Sequence, residues 1–143
     1  MKNLICILVL TFALSSCSTT DDETAISNSD LVGSWQWTQT AGGLFYSEET
    51  PETTGKELEL SLTDANNFSI AENGTEIANG TYALSLETSI YSGETARFIT
   101  LETIDQQDVG FVKNGIIKIS NNNQLKIADN NYDGFSSSFI KME

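Results

Sequence analysis

The chain has 143 residues, with 20 acidic and 7 basic side chains, and its formal net charge is −13. This charge argues against nucleic acid or an anionic membrane surface as an electrostatic partner, and the length fits one domain with a real hydrophobic core. The chain contains no histidine and two cysteines, Cys6 and Cys17. If the first segment is removed, Cys17 alone remains, which excludes an intramolecular disulfide, a His/Cys zinc site and a cysteine–histidine catalytic pair.

Residues 1–16 have the pattern of a secretory signal peptide, with a positive charge at Lys2, an apolar run over 4–14 and small residues after it. The apolar run is shorter than the roughly twenty residues that a membrane-spanning helix needs. The stretch "LSSC", which ends at Cys17, resembles the lipobox of bacterial lipoproteins. This resemblance implies a lipoprotein signal peptide over 1–16 and a lipid on Cys17 that attaches the chain to a membrane. The alternative is an ordinary secretory signal followed by a chance cysteine.

Residues 17–29 are polar and acidic and have no apolar periodicity, so they are predicted to form a flexible tether. Asp21, Asp22 and Glu23 resemble the acidic export signal of Bacteroidota lipoproteins, which implies a place on the outer face of the outer membrane. The alternative is a solvated linker, because acidic residues are common in such segments. The expected location is therefore the outer membrane, on its periplasmic side or exposed at the cell surface.

Residues 30–143 are predicted to form one all-β domain. In "KELELSLT", Leu58, Leu60 and Leu62 share one face, as in a half-buried strand, and no later segment holds a helical apolar period. Asn73-Gly74 and Asn114-Gly115 suit tight hairpin turns, the second between strands in "VGFV" and "IIKIS". Eight to ten short antiparallel strands must then close into a barrel or pair as a sandwich. Further strands are predicted in "NFSIA", in "GTYALSL", and over 96–104, 125–128 and 135–141.

The stretch "DLVGSWQW", residues 30–37, resembles the Gly-x-Trp entry to the first strand of lipocalin-like barrels. The closest resemblance is to the small lipocalin-like lipoprotein domains of Bacteroidota, and it extends to "NFSIAENGTEIANGTYAL" and "NNNQLKIADNNYDGFSSSFIK". It implies a small antiparallel up-and-down barrel of eight strands, with Gly33 at the bend and Trp35 closing one end. It also implies that Lys141 of the last strand packs across Trp35 as a cation–π contact. The alternative is that Lys141 is a solvated end residue.

The interior of such a barrel can be filled by side chains or can hold one small ligand. The only arginine, Arg97, could bind a carboxylate or phosphate if it faces inward, and would be a surface charge if it faces outward. The candidates to line a ligand are Trp37, Leu58, Leu60, Phe68, Tyr82, Arg97 and Phe98.

Two loops carry weaker signals. Leu44, Phe45 and Tyr46 either form a lid over the barrel mouth or extend the first strand and pack on the rim. "DNNYDG" places Asp129, Asn131 and Asp133 at calcium-ligand positions of an EF-hand loop. The motif is incomplete, because its twelfth position is Ile and the flanking segments resemble strands. Calcium is therefore a weak candidate, and an Asn/Asp-rich turn is the alternative.

No catalytic constellation and no cofactor motif is found in the sequence, so the chain is not expected to be an enzyme. The first functional hypothesis is a lipid-anchored binding protein of the cell envelope, which holds a small apolar or amphipathic molecule in the barrel, as the resemblance implies. The second is a filled-barrel interaction module that contacts another envelope protein or a host factor. In both, the membrane is a partner through the Cys17 lipid, and nucleic acid is not a partner.

Overall fold

The computed structural model describes residues 25–102, 108–121 and 123–143. The predicted signal peptide, Cys17 and residues 18–24 of the tether lie outside these ranges, so their assignments stay predictions. Within the described ranges, no helix is long and apolar enough to cross a membrane.

Antiparallel strands make up most of the described chain, with one short helix between the second and third strands. In chain order the elements are β1 (Gly33–Gly42), β2 (Ser47–Glu49), α1 (Pro51–Thr54), β3 (Leu58–Leu62), β4 (Asn67–Glu72), β5 (Thr75–Thr88), β6 (Thr95–Leu101), β7 (Asn114–Ser120), β8 (Gln124–Ala128) and β9 (Phe135–Lys141).

The strands close into a barrel because β1 is hydrogen-bonded to both β3 and β9. The order around the barrel is β1-β3-β4-β5-β6-β7-β8-β9, and every pairing is antiparallel. The short β2 lies outside this ring and pairs with the end of β1 over Thr40–Gly42. The predicted small up-and-down barrel is therefore confirmed, with eight strands in the ring and one additional strand.

Apolar residues at every second position explain the strand pattern. Leu58, Leu60 and Leu62 are buried, while the residues between them are half-buried. Each buried leucine contributes about 1.5–3 kcal/mol relative to an exposed one. Asn73 and Gly74 have φ angles of 52° and 79° and form the tight turn between β4 and β5, as predicted.

Asn114-Gly115 differs from the prediction, because it begins β7 and does not form a turn. The preceding "VGFV", residues 109–112, is irregular and does not form a strand. Gly115 instead permits a close approach between strands, since a Cβ at this position would meet the carbonyl oxygen of Ala128 on β8. Glycine within a strand often marks a site where another backbone approaches closely.

A bulge divides β1 into two parts. Trp37 pairs with Phe139 and Gln39 pairs with Ser138, so Thr38 has no register partner in β9, although its Oγ1 donates to the carbonyl oxygen of Ser138 at 3.0 Å. Trp35 and Trp37 face the core before the bulge. After it Thr40 faces inward, where its Oγ1 accepts a hydrogen bond from Trp37 Nε1 at 2.9 Å. The extra residue thus reverses which positions of β1 face the interior.

The four-residue helix α1 was not predicted, and it buries none of its residues. It is held by a capping box, in which Thr50 and Thr53 each bond the other's backbone N–H through a hydroxyl. Because α1 has no apolar face, no periodic pattern could reveal it.

Candidate functional site

One end of the barrel is built around Trp35. Its ring is fully buried, and its Nε1 donates to the carbonyl oxygen of Leu31 at 2.8 Å. Lys141 Nζ lies 5.2 Å from the centroid of the Trp35 ring, within cation–π range. A Cβ on Gly33 would lie 3.1 Å from Lys141 Cε, so the glycine leaves room for the lysine stem. These contacts bring Gly33, Trp35 and Lys141 together where β1 begins and β9 ends, and their predicted role in closing the barrel stays a prediction.

The predicted interior residues pack against one another. The side chains of Trp37, Leu58, Leu60, Phe68 and Tyr82 are at most 3% exposed and belong to one hydrophobic cluster. Four pockets formed by described residues include none of the last four side chains in their linings, and Trp37 lines one of them together with Pro51 and Glu57. Among the two hypotheses for the interior, this packing favours a filled core.

Arg97 and Phe98 occupy opposite faces of β6. Arg97 shares the face of Ile99 and Leu101, but its guanidinium binds Asp30 through both terminal nitrogens, at 2.8 and 2.7 Å. Hydrogen bonds from Arg97 lower the pKa of Asp30, against the opposing effect of burial. Arg97 therefore already holds a carboxylate of its own chain. Phe98 is buried, at 6% exposed, but lies outside the core cluster, so its predicted role in lining a ligand stays a prediction.

The segment before β1 is fixed to the barrel by a second contact. Asn28 Nδ2 donates to Tyr82 Oη at 2.9 Å and to Asn66 Oδ1 at 2.7 Å. Tyr82 Oη in turn donates to the carbonyl oxygen of Thr63 at 2.8 Å, and burial raises the pKa of this phenol. Together with Asp30, Asn28 sets where the tether leaves the barrel.

The candidate calcium ligands belong to the turn between β8 and β9. Asp129 Oδ2 accepts from Phe135 N at 2.8 Å, and Asn131 Oδ1 accepts from Asp133 N at 3.0 Å. These bonds direct two of the candidate oxygens into the turn, which is what an Asn/Asp-rich turn requires. Within the described residues, no group of three or more histidine, cysteine or acidic side chains is placed to hold a metal ion.

A pocket of about 630 Å³ lies on the outer surface of the barrel, and we call it the outer pocket. Its volume falls in the range that small-molecule sites commonly have. Strands β1, β7, β8 and β9, the β5–β6 loop and two turns contribute to it. Its lining consists of Ala41, Gly42, Tyr46, Ser89, Tyr91, Ser92, Ile116, Lys118, Lys126, Ala128, Gly134, Phe135 and Ser136.

The floor of the outer pocket comes from the outward faces of β7 and β8. Because Ile117 and Ile127 point into the core, their strand neighbours point outward. Ile116 pairs with Ala128, and Lys118 pairs with Lys126 two residues further along. The floor is therefore apolar at one end and doubly cationic at the other.

The β5–β6 loop forms one wall and is held in place by the β8–β9 turn. Tyr91 Oη lies 2.8 Å from the carbonyl oxygen of Asp129 and 2.6 Å from that of Asn131, and can donate to either. Ile90 N donates to Asn130 Oδ1 at 2.9 Å. The ring of Tyr91 also meets that of Tyr132 edge to face, with centroids 6.4 Å apart. These contacts hold the loop over the outer face of the sheet.

The opposite wall forms where the turn after β1 meets the start of β9. Gly43 N donates to the carbonyl oxygen of Gly134 at 3.3 Å, and a Cβ on Gly42 would meet that oxygen. The side chains of Leu44, Phe45 and Tyr46 are 72%, 89% and 72% exposed. Packing of this turn on the barrel rim, one of the two predicted arrangements, is therefore wrong. Tyr46 lines the outer pocket, where its Oη donates to Glu48 Oε2 at 2.7 Å, which raises the pKa of Tyr46.

The charge of the outer pocket is opposite in sign to that of the chain. Its lining contains two lysines and no acidic residue, although the chain has 20 acidic residues. A second pocket of about 500 Å³ at the barrel mouth contains Glu49, Asp108 and Asp129 in its lining. Of these two pockets, only the outer one offers an uncompensated cationic surface beside apolar groups.

The sequence did not predict the outer pocket. In "IIKIS" and "LKIA", the alternation of apolar and polar residues places Lys118 and Lys126 on the polar faces of their strands, so their outward orientation could have been predicted. The pairing register that sets them opposite each other, and the loop that covers them, are not local properties of the sequence. Comparisons of the chain with protein-family models, curated proteins and solved structures found no match.

Proposed function

We propose that this chain is a lipid-anchored, non-catalytic binding protein of the cell envelope, which holds a small amphipathic molecule in the outer pocket. The observation that carries the proposal is the composition of this pocket, where apolar and aromatic groups adjoin two lysines. Small-molecule sites combine these two elements, since apolar surface supplies affinity and a few polar groups set orientation.

The position of the pocket is supported by the packing of the barrel interior. A ligand among Leu58, Leu60, Phe68 and Tyr82 would have to displace side chains that are at most 3% exposed. Enlarging a close-packed core by displacing side chains is costly. The outer pocket requires no such rearrangement. The proposal therefore keeps the class of function that the sequence suggested and moves the ligand from the interior to the outer face.

The anchoring part of the proposal rests on the "LSSC" stretch at Cys17. Multiple acyl chains on this cysteine would give stable attachment, and the part of the predicted 17–29 tether that precedes Ser27 would separate the barrel from the membrane, because Arg97 bonds Ser27. Mass spectrometry of the protein purified from membranes tests this part. An acylated Cys17 as first residue is expected, and an unmodified N-terminus elsewhere would contradict it.

Native mass spectrometry of protein purified from its own cells without denaturation tests the binding function. A stoichiometric extra mass is expected on the wild-type protein. Ala128→Trp, which places an indole in the outer pocket, should abolish this mass. Ala83→Trp provides the matched control, because Ala83 is an exposed strand residue outside the pocket. If the extra mass persists on Ala128→Trp, the ligand binds outside the outer pocket. If the wild-type protein carries no extra mass, the proposed binding function is contradicted.

A protein-interaction function is the second candidate, and the exposed Leu44-Phe45-Tyr46 turn favours it. Aromatic side chains of this kind often anchor protein interfaces. A photo-crosslinking residue at position 45 is expected to give a discrete cross-linked species in intact cells, and a Leu44→Ser change should abolish it. The same residue at exposed position 94 is the control. Equal products from both positions would contradict an interaction through this turn.

A further inference from the structure

We infer that the molecule held in the outer pocket carries an anionic group, which binds between Lys118 and Lys126 while its apolar part lies on Ile116, Ala128 and the aromatic walls. The inference deepens the proposed function and rests on it. The ligand class is an amphiphile with one carboxylate or phosphate at its end.

The relative placement of the two lysines is the first argument. Lys118 and Lys126 are register partners on adjacent antiparallel strands, and both side chains are exposed on the same face. Like charges directly opposite each other on a sheet are destabilising. An anion that binds both ammonium groups removes this repulsion, so the pair is better suited to the ligand-bound state than to the free one.

The second argument is the absence of an internal partner. Among the described residues, neither Lys118 nor Lys126 forms an ion pair or a hydrogen bond through its ammonium group. Elsewhere Lys56 pairs with Glu72 at 3.3 Å, and Arg97 pairs with Asp30. A chain with net charge −13 has many carboxylates that could neutralise a lysine. The part of the chain that the structure describes places none of them in the outer pocket.

The third argument is the apolar surface that adjoins the charges. Ile116 and Ala128 lie one outward position along the strands from the two lysines. Tyr91 and Phe135 stand on either side of this floor. A fully hydrated small anion would leave this surface unused, whereas the tail of an amphiphile would cover it. Charge and apolar surface together therefore specify an ion with a hydrocarbon or aromatic body.

Isothermal titration of the purified protein with decanoate and decanamide tests the inference, because the two probes share a chain and differ in head charge. Wild-type protein should bind decanoate about tenfold more tightly than decanamide at low salt, since charge-assisted hydrogen bonds are stronger than neutral ones. This preference should shrink at high salt. Decyl phosphate, titrated in parallel, distinguishes a phosphate-headed source from a carboxylate-headed one, and tight binding of either supports the inference.

The lysine variants locate the effect. Lys118→Gln and Lys126→Gln should each weaken decanoate binding several-fold and leave decanamide binding unchanged. Lys56→Gln changes the net charge equally at a site outside the pocket and should change neither. Circular dichroism verifies that each variant is folded.

The outcomes separate this inference from the proposed function. Equal binding of decanoate and decanamide to the wild type would overturn the anionic head group and leave the binding function standing. Decanoate binding that is unaffected by both lysine changes would place the anion elsewhere and would also overturn the inference. Absence of binding by all three probes would overturn the ligand class, while the native mass measurement decides independently whether a ligand exists.

Discussion

Arg97 and Asp30 form a bidentate ion pair, in which the two terminal guanidinium nitrogens donate to the two carboxylate oxygens at 2.8 and 2.7 Å. The pair joins β6 to the segment that precedes β1. Arg97 Nη1 also donates to the carbonyl oxygen of Ser27 at 3.0 Å. The position at which the tether meets the barrel therefore depends on a titratable group.

We predict that this pair makes stability depend on pH in the acid range. Its hydrogen bonds lower the pKa of Asp30 below the ordinary 3.8. The stabilisation is therefore fully present at pH values well above the ordinary pKa of 3.8. It is lost as the pH falls through the lowered pKa that Asp30 has in the folded protein. Asp30→Asn should cost about 1 kcal/mol at neutral pH, because Asp30 is partly exposed and screened by solvent. The difference from wild type in urea unfolding should vanish at the lowest pH.

Asp133→Asn is the control for this experiment, since Asp133 is exposed and its carboxylate makes no hydrogen bond among the described residues. It should leave the stability difference near zero across the same pH range. An Asp30→Asn variant whose destabilisation stays constant down to the lowest pH would contradict the assignment.

The contact between Lys141 and Trp35 should contribute measurably to stability. Lys141→Met keeps most of the aliphatic stem and removes the charge, so it isolates the cation–π term, which is about 0.5–1 kcal/mol at an exposed site. Urea unfolding at neutral pH measures the loss. Lys56→Met makes the same charge change away from the Trp35 ring and serves as control, because the exposed ion pair of Lys56 with Glu72 contributes little. Equal effects of the two substitutions would show that net charge, and not the ring contact, is responsible.

Ser137 is predicted to be more important for stability than its neighbour Ser138. Ser137 is fully buried, and its Oγ accepts from Val112 N at 2.9 Å and bonds Thr40 Oγ1 at 2.8 Å. Ser137→Ala would leave a buried backbone donor without a partner, which costs about 1–3 kcal/mol. Ser138→Ala should change the free energy of unfolding by less than about 0.5 kcal/mol, because this side chain is not fully buried and makes no such bond among the described residues. Similar losses in urea unfolding would refute the role of Ser137.

Tryptophan emission should report a protected core. Trp35 and Trp37 are the only two tryptophans of the chain, and they are 0% and 1% exposed. Iodide should therefore quench the folded protein several-fold less than the urea-unfolded chain, because a charged quencher does not enter a packed apolar interior. Quenching of the folded protein as efficient as that of the unfolded chain would contradict the burial of both indoles.

Asn130 should control the mobility of the β5–β6 loop. Its side chain accepts from Ile90 N and donates to the carbonyl oxygen of Thr88 at 3.1 Å, and Asn130→Ala removes both bonds. Hydrogen exchange at the Ile90 amide should then become faster, since such exposed bonds contribute about 1 kcal/mol each. The Leu31 amide, bonded to the carbonyl oxygen of Asn28 at 2.8 Å, is the internal control. Unchanged exchange at Ile90 would show that Tyr91 alone holds the loop.

Local patterns predicted the parts of the fold that depend on local chemistry. The alternating leucines of β3 and the positive φ angles at Asn73 and Gly74 are properties of a few consecutive residues. Asn114-Gly115 has the letters of the same turn, but Gly115 is required by the carbonyl oxygen of Ala128 on another strand. A glycine needed for close approach and a glycine needed for its backbone angles cannot be told apart in one sequence.

The candidate site was harder to predict because it depends on non-local pairing. Alternation could show that Lys118 and Lys126 point outward, but their opposition follows from the register of β7 against β8. Arg97 and Phe98 could not both face inward, and the alternation alone fitted either choice. Asp30, which lies far away in sequence, is the partner that fixes the side chain of Arg97.

The bulge at Thr38 decides which surface each side chain of β1 joins. Ahead of it the odd-numbered Trp35 and Trp37 face inward, and beyond it the even-numbered Thr40 does. If Thr38 joined the regular ladder instead of forming the bulge, the Gln39 amide would enter the apolar interior and the Thr40 hydroxyl would turn away from the Trp37 indole. The same shift in register would withdraw Ala41 from the outer pocket. A chain that lacks Thr38 should therefore keep both parts of β1 on their present faces, since Trp37, Gln39 and Thr40 would then alternate without a bulge.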